Sequence, residues 1–201
     1  MTEIICDILV IGAGPAGASA AKKAAEAGVR VILIDRKEVI GEPVRCAEYI
    51  PRQLLGEMDC VKDFIVQPVK SMKSILPDNS IEESPSPGLI INRNIFDRAL
   101  IEKAGKAGAE IWNNTRALAF NDDCVQALKN RKQIRIKARI IIGADGPHSR
   151  VGRWIGSSNK NLVPAVQVRV TLKEPAESSE VYFDKRFFVL KEVKCSAFIF
   201  S

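Results

Sequence analysis

The chain has 201 residues, 46% of them hydrophobic and 27% charged, with a formal charge of +6. These values describe a folded globular protein with room for one full domain and a smaller appendage, and they exclude an intrinsically disordered chain. No apolar run approaches the roughly 18 residues that span a bilayer, and Met1 is not followed by a basic stretch, an apolar segment and a small-residue cleavage site, so the chain is read as cytoplasmic.

Ile4 to Ile11 is almost continuously apolar, which predicts a parallel strand buried on both faces. The turn IGAGPAG follows at once, and Pro15 enters a helix predicted to run to about Ala27. Gly17, Ala21, Ala24 and Gly28 form a stripe of small residues that lets this helix lie close on a sheet, with Lys22, Lys23 and Glu26 toward water. Val29 to Ile34 reads as the second strand and ends at Asp35. The order matters chemically. Gly12 permits the tight turn, Gly14 lets backbone approach a pyrophosphate and Gly17 lets helix and strand pack closely. The pyrophosphate meets free N–H groups at the positive end of the helix. Asp35, 18 residues beyond Gly17, accepts from ribose hydroxyls. This pattern predicts dinucleotide binding and leaves open which dinucleotide.

Beyond this unit, Gly41 to Pro51 reads as a loop and PRQLLGEM as a short helix. Residues 66 to 92 read as strands, with turns at Pro77-Asp78-Asn79 and at SPSPG. A helix is expected over 92–106, then short strands at 109–112, 115–120, 124–128 and 133–137. A further buried strand, 138–144, runs into the helix start DGPHSRVGRW, and VPAVQVRVTL, EVYFDKRFFVL and CSAFIF return to β patterning. The fold class is therefore α/β. A Rossmann-like domain with a parallel sheet (1–65 and 93–157) is joined to a partial, mainly antiparallel β-sheet domain (66–92 and 158–201).

Cys6, Cys46, Cys60, Cys124 and Cys195 are odd in number and form no CxxC pair, which argues for reduced thiols and against zinc. Between Lys129 and Arg153, eight basic residues face one acid, Asp145. Such a field attracts phosphates or an anionic membrane surface, although solvated faces of a hairpin and a helix account for it as well. Nothing accompanies it that reads nucleic acid. His148 is the only histidine and sits in a helix-start turn, where a bond to backbone competes with acid–base chemistry.

Taken together, IGAGPAGASAAKKAAEAGVRVILIDRK, GEPVRCAEYIP, INRNIFDRALIEKAGKAGAEI and IIGADGPHSRVGRWIG resemble the geranylgeranyl reductase family of flavoproteins, within the para-hydroxybenzoate hydroxylase-like group. The resemblance covers most of residues 4 to 157 and implies FAD as the cofactor. It carries ADP binding onto Gly12, Gly14, Pro15, Ala16, Gly17, Asp35 and Arg36, and places Arg45 and Cys46 near the flavin ring, with Cys46 the candidate catalytic residue. Arg93 resembles an arginine that helps hold FAD, and Asp145 with Gly146 matches a second flavin motif. It also implies hydride transfer to a C=C of a prenyl lipid or other hydrophobic small molecule, an external electron donor (NAD(P)H or ferredoxin), and peripheral membrane contact as an alternative to a purely cytoplasmic site. A flavin monooxygenase, a quinone-directed dehydrogenase and a non-catalytic remnant are the competing readings. Relatives carry a YxWxFP motif where this chain has CSAFIFS, matching only at Phe200, and they continue past the position of Ser201. The chain alone is therefore expected to hold FAD weakly and not to turn over, with apolar surface exposed around Phe187, Phe188, Phe198 and Phe200.

Overall fold

The computed structural model describes residues 2–57, 62–162, 166, 176–183 and 196–199. In chain order the elements are β1 (Thr2–Ile11), α1 (Pro15–Glu26), β2 (Val31–Ile34), β3 (Tyr49–Pro51), β4 (Ile65–Ile75), β5 (Ile81–Ile91), α2 (Arg93–Lys106), β6 (Glu110–Trp112), β7 (Thr115–Asn121), β8 (Cys124–Lys129), β9 (Lys132–Gly143), α3 (Arg150–Trp154), β10 (Ser178–Phe183) and β11 (Ser196–Ile199). They fall into two compact units, residues 1–44 with 94–162 and residues 45–93 with 163–201.

The first unit is built on a six-stranded sheet in the order β6-β2-β1-β9-β8-β7. β6, β2, β1 and β9 are parallel, and β9-β8-β7 continue as antiparallel hairpins. All four residues of β2 are buried, as a strand covered on both faces requires. Val10, Val31 and Leu33 pack with Ala21 and Ala25 of α1 and Ala104 of α2. Leu9, Ile11, Ile32 and Ile34 pack instead with Ala117, Val125, Ala127, Ile134, Ile136 and Val151. The buried stripe of α1 is Gly17, Ala18, Ala21 and Ala25, one residue off the expected set at its C-terminal end, where Ala24 is half-buried and Gly28 exposed. The register of β1 also breaks once. Asp7 and Ile8 both donate their N–H to the Arg30 carbonyl (3.0 and 3.1 Å), and the inward face passes from Ile4 and Cys6 to Leu9 and Ile11.

The sequence predicts two strands at 133–137 and 138–144, but the structure runs a single strand, β9. Its first half pairs with β8 and residues 134–143 pair with β1, so no turn interrupts it.

The second unit is a five-stranded sheet in the order β11-β10-β4-β5-β3, antiparallel except for the parallel β10–β4 pair. Its core holds Phe64, Val69, Leu89, Ile90, Ile91 and Val181. Two expectations change here. SPSPG is not a turn, because Pro85 to Gly88 lie within β5. Proline has no N–H to give, and this stretch tolerates it through the ladder irregularity opposite Val69 and Ser71. Residues 45–65, expected with the Rossmann-like domain, group with this sheet instead, because β3 pairs with β5 through Tyr49↔Ile90, Ile50↔Leu89 and Pro51↔Gly88. The strand expected in VPAVQVRVTL, apart from Val166, the aromatics Phe187, Phe188 and Phe200, and Cys60 and Cys195 lie outside the described residues, as do the side chains of CSAFIFS.

Candidate functional site

The turn between β1 and α1 is locked from both sides. Gly12 has φ +106°, and a Cβ there would lie 2.2 Å from the Ala144 carbonyl oxygen. A Cβ on Gly17 would lie 1.8 Å from the Gly12 carbonyl oxygen. Packing of the protein against itself therefore demands glycine at both positions. Gly14 differs, since its backbone is extended (φ −72°, ψ 179°) and a Cβ would meet nothing within 4 Å. No neighbour in the protein requires glycine there; the open space over the start of α1 does, if a ligand is to approach the backbone. Gly14 is also the N-cap, contributes no side-chain cap, and is followed by Pro15 at the first helical position. The N–H groups of the first turn thus keep their capacity to receive an anion.

Asp35 closes the turn from the end of β2. One carboxylate oxygen accepts the Ala13 N–H (2.7 Å) and the other the Lys37 N–H (2.8 Å), while its backbone is held by Trp112 and Thr115. Each oxygen keeps a lone-pair direction for a ribose hydroxyl. Asp35 therefore shapes the turn as well as offering itself to a ligand.

The GADG motif reaches the same place. Ala144 donates its N–H to Ile11 (2.8 Å), which carries Asp145 and Gly146 to the edge of the glycine turn. Asp145 spends its carboxylate locally, accepting from Ser149 Oγ (2.5 Å), Arg150 N (2.5 Å) and Val151 N (3.3 Å). Burial is the largest influence on this carboxyl and opposes its ionisation, but the Ser149 hydroxyl and the N–H donors of Arg150 and Val151 together outweigh it and hold the carboxyl below the ordinary aspartate range. Ser149 in turn caps α3 by accepting the Gly152 N–H (2.8 Å). His148 is exposed.

In the second unit the structure brings together two residues that the sequence links only through resemblance. Arg93 donates from Nη1 to Cys46 Sγ at 2.9 Å, and its backbone N–H donates to Glu48 Oε1 at 3.1 Å. Glu48 adopts φ +59° and donates its own N–H to Cys46 Sγ (3.4 Å). Glu48 was missed by the sequence reading, and its left-handed backbone leaves no sequence signal in a residue other than Gly or Asn. Arg45 is exposed and has no hydrogen bond or ion pair among the described residues. Cys6, Cys46 and Cys124 are free thiols, and burial pushes the Cys6 thiol up to about 11. No helix of the described residues is long and apolar enough to cross a membrane.

Comparison with known proteins agrees with this geometry. The FAD binding domain family matches residues 5–190. The digeranylgeranylglycerophospholipid reductase of Methanosarcina acetivorans is 43% identical over 164 residues, covering 76% of this chain and 40% of that protein. The enzyme of the same name from Methanothrix thermoacetophila is 41% identical over 165 residues, covering 75% of this chain and 42% of its own. A geranylgeranyl bacteriochlorophyll reductase-like protein from Thermoplasma acidophilum has a solved structure that superposes with a TM-score of 0.76 at 27% identity, over 91% of this chain and 51% of that one. The chain thus spans about two fifths of the length of the curated relatives it matches. It belongs to the FAD-binding domain family, among the geranylgeranyl reductase-like flavoproteins.

Proposed function

We propose that this chain is the FAD-holding part of a reductase that adds hydride to a C=C of a polyprenyl or other hydrophobic lipid. The observation that carries the reading is Gly14, a glycine that the protein's own packing does not need, set over an uncapped helix start beside the Asp35 carboxylate. Bound FAD supplies the redox chemistry, accepting electrons from an external donor, NAD(P)H or ferredoxin, and passing hydride to the lipid. The chain's residues bind and orient. Gly12, Pro15, Ala16 and Gly17 form the turn and first helical residues around Gly14, whose backbone admits the pyrophosphate, and Asp35 with Arg36 takes the adenosine ribose. Asp145 and Gly146 approach from the second motif, and Arg93 with Cys46 is assigned to the flavin ring, Arg45 beside them. In this reading the first unit holds the adenosine end of the cofactor, the second carries Arg45, Cys46 and Arg93 and belongs to the lipid side, and the protein is peripheral to a membrane. The names of the similar reductases support the lipid class.

The test is Gly14→Val. Its backbone angles suit any L residue, so the variant should fold, losing about 1 kcal/mol of stability to the poorer N-cap, while FAD affinity measured on the folded protein falls at least about tenfold, roughly 1.4 kcal/mol. Unchanged FAD affinity overturns the placement. The reductase half is checked by anaerobic incubation of the dithionite-reduced, FAD-loaded protein with a prenyl lipid. Hydrogen gained by the lipid supports it, whereas hydroxylated lipid formed with oxygen uptake in a parallel aerobic incubation with NAD(P)H moves the protein to the monooxygenase reading.

A further inference from the structure

Of the basic residues between Lys129 and Arg153, several are occupied by neighbours. Lys129 sits over the Trp112 ring at 3.5 Å, and Arg139 pairs with Asp7 at 3.5 Å. Arg150 and Arg153 instead join two arginines from distant parts of the sequence. The Thr115 N–H donates to Asp35 O (2.7 Å) and the Asn114 N–H to Lys37 O (2.8 Å), so Arg36 runs alongside the start of β7, where Arg116 stands. Arg150 reaches the same strand, donating from Nη1 to Leu118 O at 3.0 Å. Trp154 rests near Phe120 (ring centroids 6.0 Å), which fixes α3 on β7 and brings Arg153 along. Burial, and then the charges of Arg116, Arg153 and Arg36, depress the basicity of Arg150. Guanidinium nevertheless stays charged at any physiological pH.

Like charges gathered in this way repel, and among the described residues no ion pair joins any of the four to a carboxylate. Asp145 is the acid that acts on Arg150, and both its oxygens are already taken by Ser149 and by N–H groups of α3. Arg36, Arg116 and Arg153 are exposed, so an anion from solvent can reach them. Planar forks of this kind match the oxygens of a phosphate group. The FAD pyrophosphate of the proposed function is served by the glycine turn, and the Asp35 carboxylate stands next to the cluster on that side. We propose that Arg116, Arg150 and Arg153 form a phosphate-binding site on the first unit, beside the dinucleotide turn and bordered by Arg36, that takes the phosphate of a second ligand, either a lipid headgroup or a soluble nucleotide.

The full chain is saturated with FAD and titrated with inorganic pyrophosphate at low salt, followed by calorimetry. Saturable binding is expected, at least about fivefold weaker in Arg116→Gln/Arg153→Gln and largely kept in Arg116→Lys/Arg153→Lys. FAD affinity and the unfolding midpoint should not move in either variant, which separates failure here from failure of the FAD placement. A second arm measures co-sedimentation with phosphatidylglycerol and phosphatidylcholine vesicles. Loss of phosphatidylglycerol binding in the Gln variant identifies a headgroup, and a response confined to pyrophosphate identifies a soluble phosphate; both support the site. Absence of saturable binding in both arms, or binding indifferent to the Gln substitutions, overturns it.

Discussion

The two sheets solve the same problem differently. In the first unit, β2 is buried along its whole length and the central strands contribute Leu9, Val10, Ile32, Leu33 and Ile34, all fully buried. In the second, burial in β5 is confined to its last four residues, and the half from Ile81 to Pro85 is exposed. There the contacts are polar, including Ser71 Oγ with Glu83 and Lys70 with Glu177. A sheet covered on both faces is held by apolar burial at about 25 cal/mol per Å². An exposed ladder adds little beyond its backbone hydrogen bonds, because solvated ion pairs are screened and cost side-chain freedom. Stability is therefore expected to be concentrated in the Rossmann-like unit.

The strongest way to break this contrast is to open the core of one sheet and the face of the other. Leu33→Ala, at a fully buried position, should cost about 3 kcal/mol by cavity formation. Ile81→Ala, 64% exposed, should cost about 0.5 kcal/mol or less. Urea unfolding of the two variants side by side measures the difference, and similar costs would sink the distinction.

A smaller effect should appear at alkaline pH. Burial raises the Cys6 thiol from 9.0 to about 11. The unfolded chain therefore loses this proton first, and the stability tied to the neutral thiol is complete below about 9 and lost as pH rises through about 11. The stability difference between wild type and Cys6→Ala should shrink over that window, and a flat difference would refute the assignment. The smallest effect is expected in the second unit, at Lys70→Ala. Lys70 and Glu177 are 2.8 Å apart but more than three-quarters exposed, so removing the pair should leave the melting temperature unchanged within error. A clear drop would show that the polar ladder carries more than its exposure allows.

What could be read from the sequence follows the same division. The β1-α1-β2 unit was legible because a parallel strand buried on both faces is written as a continuous apolar run, and because Gly12, Gly14 and Gly17 occupy positions fixed by packing or by a ligand. β9 was misread as two strands because Lys137 and Arg139, side chains at its solvent-facing positions, look like a break in the pattern. Pro85 and Pro87 looked like a turn for the same kind of reason, since composition cannot show that a strand edge needs no N–H there. The Cys46–Glu48–Arg93 cluster needed a backbone conformation that no residue type announces. The meeting of Arg36 with Arg116 and Arg150 depends on hydrogen bonds between segments about 80 residues apart, beyond the reach of any local pattern.

The uninterrupted course of β9 also limits where the chain can change length. Residues 134–137 are registered on one side against β8 and on the other against β1. Adding or deleting one residue there would turn Ile134 and Ile136 away from the core and at the same time displace the strand leading to Ala144 and the glycine turn. The turns at Asp122-Asp123 and Asn130-Arg131, all four residues at positive φ, carry no such double constraint. Insertions are accommodated at those hairpin tips, and the strand between them and the cofactor turn keeps a fixed count.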